Sequence, residues 1–114
     1  MIKAVGIDIV ENKRVAGLLA KYSDRFLKKF LSPKEINFWR KKGESVTSLC
    51  GIFAAKEAVV KAVSSIKGQK VSFTQIQINY RENGAPFVVL PGVKILISIS
   101  HEEKFSVAVA VCDL

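Results

Sequence analysis

Residues Ile2 to Val10 alternate with a period of two, which places Ala4, Gly6, Asp8 and Val10 on one face and Lys3, Val5, Ile7 and Ile9 on the other. Such a pattern predicts a β-strand, with Ile7 and Ile9 marking it as part of the core. Asp8 is out of character, because aspartate is depleted from strands. Its neighbours on the same face, Ala4 and Gly6, are small enough to let another backbone or a ligand approach closely.

After Val10 the periodicity becomes helical, with one helix expected from Glu11 to about Tyr22 and a short one from Ser23 through Phe30. Ser32-Pro33-Lys34-Glu35 carries a capping serine, a proline suited to the first helical position and a glutamate placed to complete a capping box. The spacing predicts a helix from Pro33 to about Lys42, broken at Gly43. Ser45 to about Ile66 holds the longest predicted helix, favoured by Ala54, Ala55, Ala58 and Ala62. Beyond Gly68 the texture turns to β. Val71 to Tyr80 is expected as a strand with Ile76, Ile78 and Tyr80 on one face, followed by a hairpin turn at Glu82-Asn83-Gly84. Pro86 to Leu90, Lys94 to Ser100 and Phe105 to Cys112 supply three further strands.

A strand, then helices, then a β-meander predicts an α+β fold, an antiparallel meander packed with a long central helix. The 114 residues suit a single domain spanning 1–114. In the last strand Phe105, Val107, Val109 and Val111 share one face, and Ser106, Ala108, Ala110 and Cys112 the other. Both faces are buriable, which calls for helices on one side or a subunit interface and favours a homo-oligomer.

On the long helix Glu57, Lys61 and Ser64 fall on one stripe beside Cys50, Phe53 and Ala54, while Ile52, Ala55, Val59, Ala62 and Val63 lie opposite. Apolar residues on both sides imply an enclosed helix, with Glu57 and Lys61 pointing into a cleft. An exposed i,i+4 pair, worth about 0.3–0.5 kcal/mol, explains the helix alone equally well. Asp8 tips the balance, because two carboxylates in core-like elements are costly unless paired or bound to a cation. Oxygen donors favour Mg²⁺, which combines one or two carboxylates with waters and a substrate phosphate. Lys61 would hold a further phosphate oxygen, so the constellation suits phosphoryl-type transfer.

The formal charge is +8, and the segment Lys21 to Lys42 alone carries eight bases against two acids, a net of +6. That concentrated field favours an acidic partner, though a solvated helical face accounts for it equally well. Cys50 and Cys112 are far apart and lack metal-type spacing, so they read as reduced core residues. The apolar runs are too short to span a membrane and no signal-peptide core is seen, so a cytoplasmic protein without a membrane partner is expected.

Two of these segments, "GIDIVENKR" (Gly6 to Arg14) and "FAAKEAVVKA" (Phe53 to Ala62), resemble the signatures of the holo-[acyl-carrier-protein] synthases, the small bacterial branch of the 4′-phosphopantetheinyl transferases. The resemblance extends through "RFLKKFLSPKE" (Arg25 to Glu35), "NGAPF" (Asn83 to Phe87) and "ISISH" (Ile97 to His101). It implies an α+β homotrimer with active sites between subunits, and transfer of phosphopantetheine from coenzyme A to a serine of an acidic apo acyl carrier protein. Adenosine 3′,5′-bisphosphate would be the other product. By the same resemblance Asp8 and Glu57 bind Mg²⁺ with the coenzyme A diphosphate, and Lys61 lies near the phosphates, where it assists proton transfer or charge stabilisation. Arg14 and, less directly, Arg25 engage the carrier protein. Ser64, Pro86 and His101 are placed at coenzyme A, although a lone histidine also reads as structural and Pro86 as a plain hairpin residue. The chain departs from the family pattern at Ile52, where an arginine is common, and at Ser64-Ser65, where a glycine-rich turn is common. A nucleic-acid-binding module, built on Arg25, Lys28, Lys29, Arg40, Lys41 and Lys42, is the competing reading, but it leaves Asp8 and Glu57 without a role. A relative that binds cofactor or carrier without transfer is a third.

Overall fold

A computed structural model describes residues 1–68 and 71–113, with Lys67 described by its backbone alone. Strand β1 (Ile2–Glu11) leads into helices α1 (Asn12–Tyr22), α2 (Asp24–Phe30), α3 (Pro33–Lys41) and α4 (Val46–Lys67). Strands β2 (Asn79–Tyr80), β3 (Pro86–Leu90), β4 (Val93–His101) and β5 (Phe105–Asp113) follow. The five strands form one antiparallel sheet in the order β1-β5-β4-β3-β2, so the first and last strands pair and β1 lies at an edge. Helix α4 lies across β1, β5 and β4. The α+β architecture is as the sequence predicts.

The helix ends follow from local chemistry. At α3 the Ser32 backbone N–H donates to Glu35 Oε1 at 2.9 Å and the Glu35 N–H donates to Ser32 Oγ at 3.2 Å, a complete capping box. Ser45 Oγ caps α4 by accepting from the Ser48 N–H at 3.2 Å. Its other end stops at Gly68, whose φ of 64° is left-handed and whose N–H reaches Ser64 O.

The contact that seats α4 is between backbones. Ala54, Ala55, Ala58 and Ala62 are fully buried on the helix, and Ala108 and Ala110 are fully buried on β5. In β1, Gly6 is paired with Ala110 and Asp8 with Ala108. A Cβ placed on Gly6 would stand 2.0 Å from Ala58 O and 2.9 Å from Ala62 N, so helix and strand touch where no side chain fits. The small face of β1 thus receives a backbone, as the sequence allows.

Two expectations are corrected. Ile7 and Ile9 do not hold β1 in the core of the single chain; they are 59% and 61% exposed, beside Val5 at 60%. Ala4, Gly6 and Val10 face inward instead, because α4 approaches only a smooth surface, and alternation cannot say which of two apolar faces meets it. Val71 to Tyr80 is not one strand: it forms a 3-10 turn (Phe73–Gln75) and only the two-residue β2. Ser72 and Gln75 close their own capping box around that turn, and the Ile78 N–H donates to Glu35 Oε2 at 2.9 Å rather than to a neighbouring strand.

Gly6→Ala is expected to cost about 3 kcal/mol in urea unfolding, from forced separation of β1 and α4. Gly17→Ala, on α1 with open space around it, should stabilise by about 0.5–1 kcal/mol; equal effects at the two sites would refute the backbone contact.

Candidate active site

Asp8 projects from β1 on the side that α4 covers. Its Oδ1 accepts from Lys61 Nζ at 2.8 Å, and the same ammonium donates to the Ile7 carbonyl at 3.1 Å. The aspartate side chain is only 14% exposed, whereas that of Lys61 is 55% exposed. Lys61 therefore stands at an open rim in the single chain and not inside a cleft, which corrects the enclosed position that the helix pattern suggests. Glu57 lies one turn earlier on α4, half-buried.

The electrostatics couple these groups. Burial holds the Glu57 carboxyl above its ordinary pKa, and the charge of Asp8 adds to that; Lys61 and Arg14 pull it back down. The hydrogen bond and charge of Asp8 raise the pKa of Lys61. Arg14 on α1 thus belongs to the same field. Asp8, Glu57, Lys61 and Arg14 come from three elements, and the Gly6 contact with Ala58 sets the spacing of the first three.

Among the described residues no group of three or more histidines, cysteines, aspartates or glutamates is placed to hold a metal ion. Two carboxylates are nevertheless the donor number Mg²⁺ commonly takes from protein, the rest being water and substrate oxygen. Burial first, and the charge of Asp8 second, hold the Glu57 carboxyl above its ordinary pKa, and a hard cation would relieve both. The residues fit such an ion.

The other expected residues lie elsewhere in the chain. Ser64 continues the Glu57–Lys61 stripe, half-buried one turn on. His101 ends β4, two strands from β1, and its ring lies so close to α4 that a Cβ on Gly51 would come within 2.6 Å of its Cε1. Its Nδ1 is 2.8 Å from Ser106 Oγ, which donates to Asn12 Oδ1 at 2.7 Å, so the histidine anchors the start of α1. Pro86 opens β3, three strands from β1, and pairs with Tyr80. One chain does not bring His101 or Pro86 to the carboxylates. Arg25 lies on α2 with its guanidinium 5.4 Å from the Tyr22 ring, at a groove of about 410 Å³ shared with Lys29, Phe26 and Phe53. Ile52 is buried and faces a separate cavity of about 720 Å³, between α3 and β2, rimmed by Lys34, Phe38, Lys41 and Tyr80.

Sequence reasoning misses one pair. Lys56 is wholly buried, and its Nζ donates to Glu35 Oε1 at 2.6 Å, Phe30 O at 2.7 Å and Phe73 O at 2.9 Å. Desolvation lowers its pKa, with the Glu35 bond and charge opposing. The pair ties α4 to α2, α3 and the 3-10 turn, directly beside Glu57. A lysine between Ile52 and Val59 on an apolar stripe is the available signal; its partner, far away in sequence, is not legible.

The 4′-phosphopantetheinyl transferase superfamily matches residues 4–112. The chain belongs to that superfamily. Among the superfamily's curated members, the holo-[acyl-carrier-protein] synthase of Halothermothrix orenii is 37% identical, over 97% of both chains. That of a Geobacillus strain is 39% identical, over 99% of this chain and 98% of its own. Among solved structures, the synthase of Neisseria meningitidis matches with a TM-score of 0.86 at 31% identity, covering all of both chains. The Helicobacter pylori synthase in complex with coenzyme A matches with a TM-score of 0.81 at 34% identity, covering 96% of this chain and 99% of its own. Superfamily membership makes the chain an enzyme of the phosphopantetheinyl-transferring kind.

Lys56→Met leaves the Glu35 carboxylate buried without its cation and is expected to cost about 3–5 kcal/mol in chemical denaturation. Adding Glu35→Gln should recover part of that loss; no recovery would show that the two charges are not coupled.

Proposed function

We propose that this chain, as one transferase domain over residues 1–114, moves 4′-phosphopantetheine from coenzyme A to a serine of an apo acyl carrier protein, with Mg²⁺ as cofactor. The observation that carries the reading is the delivery of Asp8 and Glu57 as a carboxylate pair beside Lys61, in a chain whose relatives are holo-[acyl-carrier-protein] synthases. Coenzyme A as donor is supported by the Helicobacter pylori synthase, whose structure holds coenzyme A.

In the reaction the carrier serine oxygen bonds to the phosphorus that bears pantetheine. The bond from that phosphorus to the bridging oxygen breaks, the serine proton is lost, and adenosine 3′,5′-bisphosphate leaves. Bound at Asp8 and Glu57, the cation supplies charge stabilisation to the diphosphate. Lys61, whose ammonium is half-exposed at the rim, stabilises negative charge on a phosphate oxygen in this reading. Arg14 lies within the same field, and with Arg25 and the basic segment from Lys21 to Lys42 it offers cations to an acidic carrier protein. The nucleophile belongs to the partner, so this chain needs no serine of its own.

Val5, Ile7 and Ile9 form an exposed apolar face continued by Leu96 and Phe105, large enough to ask for a cover. A homotrimer that covers it agrees with the separation of Pro86 and His101 from Asp8, because a neighbouring subunit can bring those two residues to a coenzyme that meets Ser64 on the same helix as Lys61. No helix among the described residues is long and apolar enough to cross a membrane, and the reading assigns the enzyme to the cytoplasm.

The decisive experiment is the mass of an apo carrier protein incubated with the enzyme and coenzyme A. A phosphopantetheine mass gain that needs Mg²⁺, and that falls by at least about a hundredfold in rate in Asp8→Asn or Glu57→Gln, is expected. Full rates in either variant would remove the metal assignment. Sedimentation should give a trimer, and a fully active monomer would remove the intersubunit site.

A further inference from the structure

We propose that Lys61 is the resident cation of the Asp8–Glu57 pair: it neutralises Asp8 while no metal is bound and competes with the divalent ion for that carboxylate. The inference rests on the reading of the pair as a divalent-cation site.

The geometry is that of an occupied cation position. The ammonium takes two oxygens of one strand, Asp8 Oδ1 at 2.8 Å and Ile7 O at 3.1 Å, and Glu57 lies one turn back along the helix that carries the lysine. Glu57 itself forms no ion pair among the described residues, so Lys61 is the only side-chain cation in direct contact with either carboxylate there. Asp8 is 14% exposed and locked opposite Ala108 in the sheet, and water alone would compensate its charge poorly.

The two partners differ in freedom. Asp8 is fixed by its strand, while Lys61 ends a four-carbon stem and is 55% exposed. A divalent ion approaching Asp8 meets either an oxygen already bonded to an ammonium or a second oxygen beside a positive charge. Binding therefore requires Lys61 to move aside, which a half-solvated lysine does at small cost. Once displaced, the ammonium is free to meet an anionic group at the rim. The lysine thus sets a weak resting affinity for metal and keeps two carboxylates together without one.

A lysine that only orients Asp8 for the metal predicts the opposite sign, which makes binding the proper measurement. Mn²⁺ is the probe: the fraction free is read from its electron paramagnetic resonance signal in titrations of the full-length protein without coenzyme A, at fixed ionic strength. Lys61→Met should bind Mn²⁺ on the order of two- to fivefold more tightly than the unaltered protein, and Lys61→Arg, which keeps the charge, should stay close to it. Asp8→Asn defines binding at other sites, and the difference from it is the Asp8-dependent component. Equal or weaker binding by Lys61→Met, with Asp8-dependent binding intact in the unaltered protein, overturns the proposal and leaves the metal site standing. No Asp8-dependent binding in either protein overturns both.

Discussion

The carboxylate pair depends on a side chain that is missing. Gly6 lets the backbone of β1 rest against the carbonyl of Ala58, where a methyl group would lie 2.0 Å from that oxygen. Asp8 stands two residues along β1 from the contact and Glu57 one residue along α4, so one close approach fixes both. Such a contact is stiff, because interiors pack densely and backbone cannot yield as a side chain does. Two carboxylates held this way repel each other, which adds to the burial that raises the pKa of Glu57. Lys61 limits that cost from the open side.

A second constraint acts from behind. Lys56 follows the helix inward where Glu57 faces outward, and its ammonium is saturated by a carboxylate and two carbonyls. A buried ion pair seldom adds stability over an apolar equivalent, but breaking one is costly, so it favours a single arrangement of the parts it joins. Those parts are the end of basic helix α2, the capped start of α3 and the turn before β2. The basic surface of α2 is therefore tied to the helix that bears Glu57.

Much of this was legible because it depends on local rules. The capping box at Ser32 and Glu35, the glycine at the end of α4 and the hairpin at Asn83-Gly84 need only near neighbours. That Asp8 needs a nearby cation could be inferred, because a carboxylate among apolar residues calls for one, and the structure supplies Lys61. What escaped involves distant choices. Ile7 and Ile9 sit on the more hydrophobic face of β1, yet α4 selects the smoother one, and only the position of the helix decides that. Residues 71–80 alternate like a strand, but a side chain from α3 takes the backbone donor of Ile78. His101 looks chemical in the sequence and Lys56 draws no notice there, yet both serve as anchors in the single chain, through Ser106 and Asn12 and through Glu35.

Ile52, one of the departures from the family pattern that the sequence resemblance marks, is buried and faces a cavity whose lining includes neither Asp8 nor Glu57. The departure therefore leaves the two carboxylates untouched. Anomalous diffraction from crystals soaked in Mn²⁺ reads the proposed divalent-cation site of β1 and α4 without recourse to activity. A single strong peak within coordinating distance of both the Asp8 and Glu57 carboxylates is expected; a peak at neither residue, at a concentration that supports activity, would remove the site.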